Sequence, residues 1–332
     1  MPVTANASPR ISVIIPAYKT AHLIAGCLDS VLSQTFQDFE AIVVNDGSPD
    51  TPELEKVLQP YMERIVYIVQ PNKRAAGARN TAIQRARGEF LAFLDSDDTW
   101  LPDHLASQMQ LVDADPSLDL VYSNALMIGN PERKMEFMAR CPSSGQATFA
   151  ALIVEQCQIP ISTVVVRKQA LVKGGLFDEK LLRCDDYDMW VRAAFHGAKV
   201  GYSRKVQARL NLGRPDSLSV ERTKMVEAYL NILEQLNRTL PLSDADRRVV
   251  EKRAAEIKAL YLVEQGKSQL KAGEFGKARE AFTDANRNLK ARRLSLVLFG
   301  LRIAPDLTRK LADFRNRLMS GAARPKLGGA RT

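Results

Sequence analysis

Apolar residues along this chain fall into short β-branched runs separated by stretches of helical spacing. Ile11-Ser12-Val13-Ile14-Ile15-Pro16-Ala17-Tyr18 reads as a strand that stops at a proline. Leu23, Ile24, Cys27, Leu28, Val31 and Leu32 then recur at helical intervals and predict a helix over 21–34. A second strand over 39–44 ends in the acceptor-rich turn Asn45-Asp46-Gly47-Ser48-Pro49-Asp50. A helix over 52–61, a third strand over 65–69 and a helix over 75–87 follow. Phe90 to Leu94 is an unbroken apolar run, as expected of a strand covered on both faces. It leads directly into Asp95, Asp97 and Asp98. Further strands are predicted at 118–127, 161–166 and 200–210, with a helix starting at the acidic stretch Cys184-Asp185-Asp186-Tyr187-Asp188.

Strand, helix, strand, helix, strand with short connections predicts an α/β class: a mostly parallel sheet flanked by helices, joined by right-handed crossovers. From residue 223 the pattern is purely helical, broken at Leu240-Pro241-Leu242-Ser243, so a C-terminal all-α appendage is expected. The first strand-to-helix loop has neither GxGxxG nor GxxxxGK[ST], which argues against a dinucleotide-binding domain and against a P-loop NTPase. Residues 1–10 read as a disordered lead, 11–222 as the α/β domain, 223–318 as the helical region and 319–332 as a disordered basic tail.

Charge changes this picture in one respect. The 332 residues carry a formal net charge of +9. Residues 1–245 hold 26 Lys+Arg against 29 Asp+Glu, a net −3, whereas 246–332 hold 21 against 9, a net +12. An anionic partner is therefore expected of the C-terminal part and not of the α/β body. The four cysteines are too widely spaced for a zinc site, so a reduced, cytoplasmic chain is expected. Residues 1–10 contain no apolar core of a signal peptide, and no run is long enough for a membrane span.

The candidate chemistry lies at the strand ends. Pro16, Ala17, Tyr18, Asp46, Asp95 and Asp97 should line one edge of one sheet, where open α/β sheets bind ligands. Three neighbouring carboxylates repel one another, and a divalent cation sharing its oxygens with a ligand's phosphates would offset that charge. The alternative reading of the same residues is a helix cap by Asp98 or Thr99, with Pro102 in the first turn, and both can hold at once. Asp46 can accept from the imide N–H of a uracil ring. Arg79 can hold a phosphate or order Asp95 and its neighbours.

The motifs Ser12-Val13-Ile14-Ile15-Pro16-Ala17-Tyr18, Ser30-Val31-Leu32-Ser33-Gln34-Thr35, Val43-Val44-Asn45-Asp46-Gly47-Ser48-Pro49-Asp50, Gly77-Ala78-Arg79-Asn80 and Leu94-Asp95-Ser96-Asp97-Asp98 come in a telling order. With Gly175-Leu176-Phe177-Asp178-Glu179 and Asp185-Asp186-Tyr187-Asp188-Met189-Trp190, they resemble the family-2 inverting glycosyltransferases of the GT-A fold, over about two-thirds of the chain. The resemblance implies sugar transfer from a nucleotide-diphosphate donor, a UDP-sugar, to an acceptor hydroxyl in polysaccharide or glycan assembly. Pro16, Ala17, Tyr18, Asp46, Gly77, Arg79, Asn80, Asp95, Ser96 and Asp97 would form the donor site. Asp95 and Asp97 would be the DxD pair that holds Mn2+ or Mg2+. Asp186, or Asp185 beside it, would be the catalytic base. Two departures stand out: Asn45 where relatives often have aspartate, and Asp185 where the residue before the base is usually glutamate. Transfer to a polyprenyl phosphate and a non-catalytic nucleotide-sugar-binding scaffold are the alternatives.

The last third lies outside that resemblance. Gly266, Ala278, Phe282 and Ala285 follow the small/large pattern of one tetratricopeptide repeat, with a hairpin at about 259–290. It could receive a protein partner. Arg292, Arg293, Arg302, Arg309, Lys310, Arg315 and Arg317 alternate with Leu and Phe, a pattern that suits peripheral contact with an anionic inner membrane face or a solvated basic face. No stacking platform or reading helix for nucleic acid is evident.

Overall fold

The computed structural model describes residues 8–129, 134–212 and 222–311. The expected lead before residue 8, the loop around Arg214 and the basic tail, with Arg315 and Arg317, lie outside the described residues. The chain forms two compact units, Met1–Ser217 and Leu218–Thr332.

The first unit is built on one sheet. Its strands are β1 (Ile11–Ala17), β2 (Phe39–Asp46), β3 (Val66–Gln70), β4 (Phe90–Phe93), β5 (Thr99–Trp100), β6 (Leu120–Ile128), β7 (Met135–Glu136), β8 (Val165–Arg167) and β9 (Val200–Asn211). The order across it is β3-β2-β1-β4-β8-β6-β9-β5, with β7 paired to β6. β3, β2, β1 and β4 run parallel, β8 runs antiparallel to both its neighbours, and β9 lies parallel to β6. The crossover helices are α1 (Ile24–Leu32), α2 (Thr51–Leu58) and α3 (Arg74–Arg85); α4 (His104–Ala114) precedes β6. Short helices α5 (Phe137–Arg140), α6 (Phe149–Ile153) and α7 (Lys168–Lys173) lead to α8 (Asp185–Phe195).

β1 is the centre of the parallel half. Every residue from Ile11 to Ile15 is buried, so β-branched side chains fill both faces and no polar alternation is seen. The register sets Ala17 beside Asn45 and Asp46 beside Gln70. The Leu94 N–H donates to the Ile14 carbonyl at 3.1 Å, which carries the β4 line forward to Asp95. The carboxyl ends of these strands therefore share one edge.

Two local expectations are corrected. Residues 161–166 are not one strand: Ile161–Thr163 form a 3₁₀ turn and only Val165–Arg167 pair in the sheet. Pro160 opens that turn, and the Thr163 N–H and hydroxyl both donate to its carbonyl. The expected helix cap at Asp98 or Thr99 is absent as well. Thr99 and Trp100 pair with β9, and α4 begins only at His104. Long-range partners of Asp98 outcompete the local cap.

The second unit consists of α9 (Arg222–Thr239), α10 (Asp244–Ala272), α11 (Phe275–Leu289) and α12 (Arg292–Ile303), followed by the described residues to 311. Ser243 caps α10, its Oγ accepting from the Asp246 N–H at 3.1 Å. Gly273 ends it in the left-handed region with φ +80°, the conformation glycine adopts most readily. Gly266 faces the Phe282 ring so closely that a Cβ there would lie 2.7 Å from it. Leu270, Ala278, Phe282 and Ala285 form a core that Leu294 and Leu301 of α12 complete. No helix among the described residues is long and apolar enough to cross a membrane.

Candidate active site

Buried hydrogen bonds fix the loops at the sheet edge. Asn45, fully buried, donates to the Thr51 and Tyr67 hydroxyls at 2.9 and 2.8 Å and accepts the Ser48 N–H at 2.9 Å. It sets the turn after β2 by neutral bonds alone. Ser48 accepts the Lys19 N–H at 2.7 Å and donates to Asp50, which accepts the Ala21 N–H at 3.0 Å. The loops after β1 and β2 thus hold each other. Pro16 is partly buried, Ala17 fully so, and Tyr18 is 43% exposed at the loop surface.

Asp46 is buried at the tip of β2. One of its oxygens accepts from Gln70 Nε2 at 2.6 Å and from the Lys73 N–H at 2.8 Å. Gln70 was not among the residues singled out from sequence, although its place at the end of β3 is the same signal that marks Asp46.

The acidic loop after β4 holds both buried and partly exposed side chains. Ser96 is buried and donates to the Thr20 hydroxyl at 3.0 Å, so it ties this loop to the one after β1. Asp98 is buried, accepting from the Ser162 hydroxyl at 2.5 Å and from the Asn211 N–H at 2.7 Å. Burial pushes its carboxyl well above the usual range, and the charges of Asp95 and Asp97 add to that. The Ser162 hydroxyl oxygen also accepts the Asp95 N–H at 3.2 Å. Asp95 and Asp97 are partly exposed. Nothing in the local sequence pattern marks Ser162.

Arg79, on α3, connects these elements. Its side chain is 5% exposed, and its two terminal nitrogens donate to Asp95 at 2.7 Å and to Asp185 at 2.6 Å. Its guanidinium carbon lies 5.6 Å from the centre of the Phe177 ring. Burial opposes the charge, but Asp95, Asp185 and Asp186 outweigh it and hold the guanidinium protonated. Of the two roles open to Arg79 from sequence, this geometry takes the ordering one.

Asp185 and Asp186 open α8, where the helix macrodipole favours negative charge. Cys184 before them is left-handed with φ +59°, a conformation a non-glycine residue holds only at some cost. Asp186 is partly buried, and one of its oxygens accepts the Tyr187 N–H at 2.8 Å. Removal from water raises its carboxyl to about 7; the charge of Asp185 adds to this, while Arg79 opposes it.

The start of α8 is held from beneath. Phe93, Phe177 and Trp190 meet edge to face with ring centres 5.5 to 6.0 Å apart. Asn80, buried, brackets Phe177 by accepting its N–H at 3.1 Å and donating to its carbonyl at 2.9 Å, and also donates to Glu179 at 3.0 Å. Gly77 is buried on the same helix, where a Cβ would lie 3.4 Å from the Glu179 carboxylate. Arg192 pairs with Asp188 and donates to the Leu176 carbonyl at 2.7 Å. The Asn80 and Ser96 side chains therefore bond to protein, and Gly77 is buried against it.

Among the described residues, no group of three or more His, Cys, Asp or Glu side chains is arranged to enclose a metal ion. Asp95 and Asp97 offer instead an incomplete oxygen set, the kind a divalent ion completes with phosphate oxygens and water.

A family profile described as glycosyl transferase family 2 matches residues 12–156. The UDP-Glc:alpha-D-GlcNAc-diphosphoundecaprenol beta-1,3-glucosyltransferase WfgD of Escherichia coli is 34% identical over 182 residues, covering 54% of this chain and 68% of that protein. The chain belongs to glycosyl transferase family 2. An uncharacterised glycosyltransferase of Rickettsia typhi is 30% identical to this family-2 chain over 193 residues, 56% of the chain and 58% of that relative's length. Among solved structures, S. aureus TarS 1–349 matches with a TM-score of 0.62 at 19% identity, covering 93% of this chain and 91% of that one. That likeness is one of fold, and the fold is GT-A with a helical appendage. The family match includes β1, β2, β4 and the acidic loop; Asp185 and Asp186 lie beyond it.

Proposed function

We propose that this family-2 chain transfers a sugar from a nucleoside-diphosphate donor, a UDP-sugar, to an acceptor hydroxyl with inversion at the anomeric carbon. The observation that carries this is Arg79. It draws Asp95 of the acidic loop and Asp185 of α8 onto one guanidinium, at the sheet edge that also carries Asp46. A donor laid along that edge has its uracil at Asp46, its ribose near Pro16, Ala17 and Tyr18, and its diphosphate at Asp95 and Asp97. Gln70 and the Lys73 N–H occupy one oxygen of Asp46 and aim the carboxylate for an imide N–H.

The acceptor oxygen attacks the anomeric carbon as the bond to the diphosphate breaks, and its proton passes to an Asp186 oxygen. A carboxyl raised to about 7 suits that role near neutral pH. Asp185, held by Arg79, orients the pair. Asp97 with Asp95 would hold Mn2+ or Mg2+, which neutralises charge developing on the leaving diphosphate. The name of WfgD, a relative acting with UDP-Glc on a diphosphoundecaprenol-linked sugar, supports a glycan or lipid-linked acceptor.

The test is release of UDP from UDP-sugars by the full chain with lipid-linked and free glycan acceptors, with Mn2+ and with EDTA. Metal-dependent turnover on one donor is expected. No turnover and no donor hydrolysis with any nucleotide sugar would leave a non-catalytic scaffold.

A further inference from the structure

The described residues expose twelve large apolar side chains, and five of these, Leu296, Phe299, Ile303, Leu307 and Leu311, fall at the end of the second unit. Leu296, Phe299 and Ile303 are 71%, 64% and 66% exposed. Their spacing of three and four residues puts them on one side of α12. Leu294 and Leu301 occupy the other side and are buried in the core shared with α11. α12 is thus apolar on two opposite faces, only one of which the unit covers.

The charges carried by α12 itself are all of one sign. At about 100° per residue, Arg293 and Arg302 flank the apolar stripe on its two sides and Arg292 lies along it; all three are exposed. From Lys290 to Lys310 there are six basic residues, and Asp306 is the one acid, paired to Arg309 at 3.2 Å. We propose that this outer face of α12 docks on an anionic lipid surface, with Leu296, Phe299 and Ile303 entering the headgroup layer and the arginines meeting lipid phosphates.

The pairing of large apolar side chains with flanking cations favours a bilayer over other occupants. A second copy docked face to face would bring like charges together. Nucleic acid would leave the apolar stripe unsatisfied. Twelve residues form α12, too few to span a bilayer, so the helix lies in the interface. This inference rests on the second unit alone and does not depend on the reaction proposed above.

The test is sedimentation of the full chain with phosphatidylcholine vesicles and with vesicles containing phosphatidylglycerol, at low and physiological salt. Binding to the anionic vesicles that weakens with salt is expected. Leu296→Ser/Phe299→Ser/Ile303→Ser and Arg293→Glu/Arg302→Glu should each reduce it at least about tenfold. Phe299→Trp keeps the face apolar and should give a blue-shifted emission on anionic vesicles, which makes the test independent of how well the triple variant folds. No sedimentation and no blue shift, or equal binding to neutral vesicles, would overturn the proposal. So would a concentration-dependent dimer that the triple variant abolishes without any vesicle binding.

Discussion

Arg79 and Asp185 lie 106 positions apart in the chain and 2.6 Å apart in the fold. The same guanidinium reaches Asp95, so one buried cation sets the spacing between the acidic loop and the first turn of α8. Asp95, proposed to meet the donor, and Asp185, next to the proposed base Asp186, thus share one cation.

Removing that cation should damage both stability and turnover. Arg79→Gln leaves Asp95 and Asp185 without their shared partner, and losing one member of such a buried pair costs about 3–5 kcal/mol. Arg79→Lys should rescue only part of it, since an ammonium lacks the two-pronged geometry that reaches both acids. Urea unfolding of the first unit, read beside UDP release, checks both.

Asp186→Asn should lower kcat by about 10²–10⁴-fold with donor affinity retained. Wild-type turnover should rise with pH through about 7, the value to which its carboxyl is pushed. The stability effect has the opposite sign to that of an ion-paired acid. The folded carboxyl holds its proton more tightly than the unfolded one, so its contribution is nil below the unfolded value and turns unfavourable as pH rises towards 7. Asp186→Asn should therefore match the wild-type melting temperature at pH 4 and exceed it at pH 8. Thermal melts across that range decide it.

Asp46→Asn keeps an oxygen for Gln70 Nε2 and the Lys73 N–H but replaces the other with an amide donor. The fold should hold, with a melting temperature close to wild type. Uridine nucleotide affinity should drop by about 1–3 kcal/mol, the cost of facing an imide donor with another donor. Titration calorimetry with UDP, beside a thermal melt, separates the two effects.

Gly266→Ala places a Cβ 2.7 Å from the Phe282 ring at the α10–α11 contact. The ring must move, and overpacking of this kind costs about 1–3 kcal/mol. Loss of helical circular dichroism at lower temperature, with UDP affinity unchanged, is the expected pattern.

The parallel half of the sheet was legible in the sequence because strands covered on both faces are near-continuous apolar runs, as Ile11–Ala17 and Phe90–Phe93 are. The same signal misled at Ile161, where a β-branched run begins with a proline-led turn and joins the sheet only at Val165. The cap expected at Asp98 failed because the carboxylate has partners in Ser162 and Asn211, 64 and 113 positions away, which no local pattern reveals. Motif order pointed to Asp46, Arg79, Asp95 and Asp185/Asp186. It could not distinguish side chains that face the site from Asn80 and Ser96, whose bonds go to the protein.

The most direct test of the account is calorimetric titration of the full chain with UDP, in Mn2+ and in EDTA, for wild type and Asp97→Ala. The account predicts UDP binding in Mn2+ that is lost both in EDTA and in the variant. Equal binding by Asp97→Ala, or no binding of UDP with any divalent ion, would contradict it.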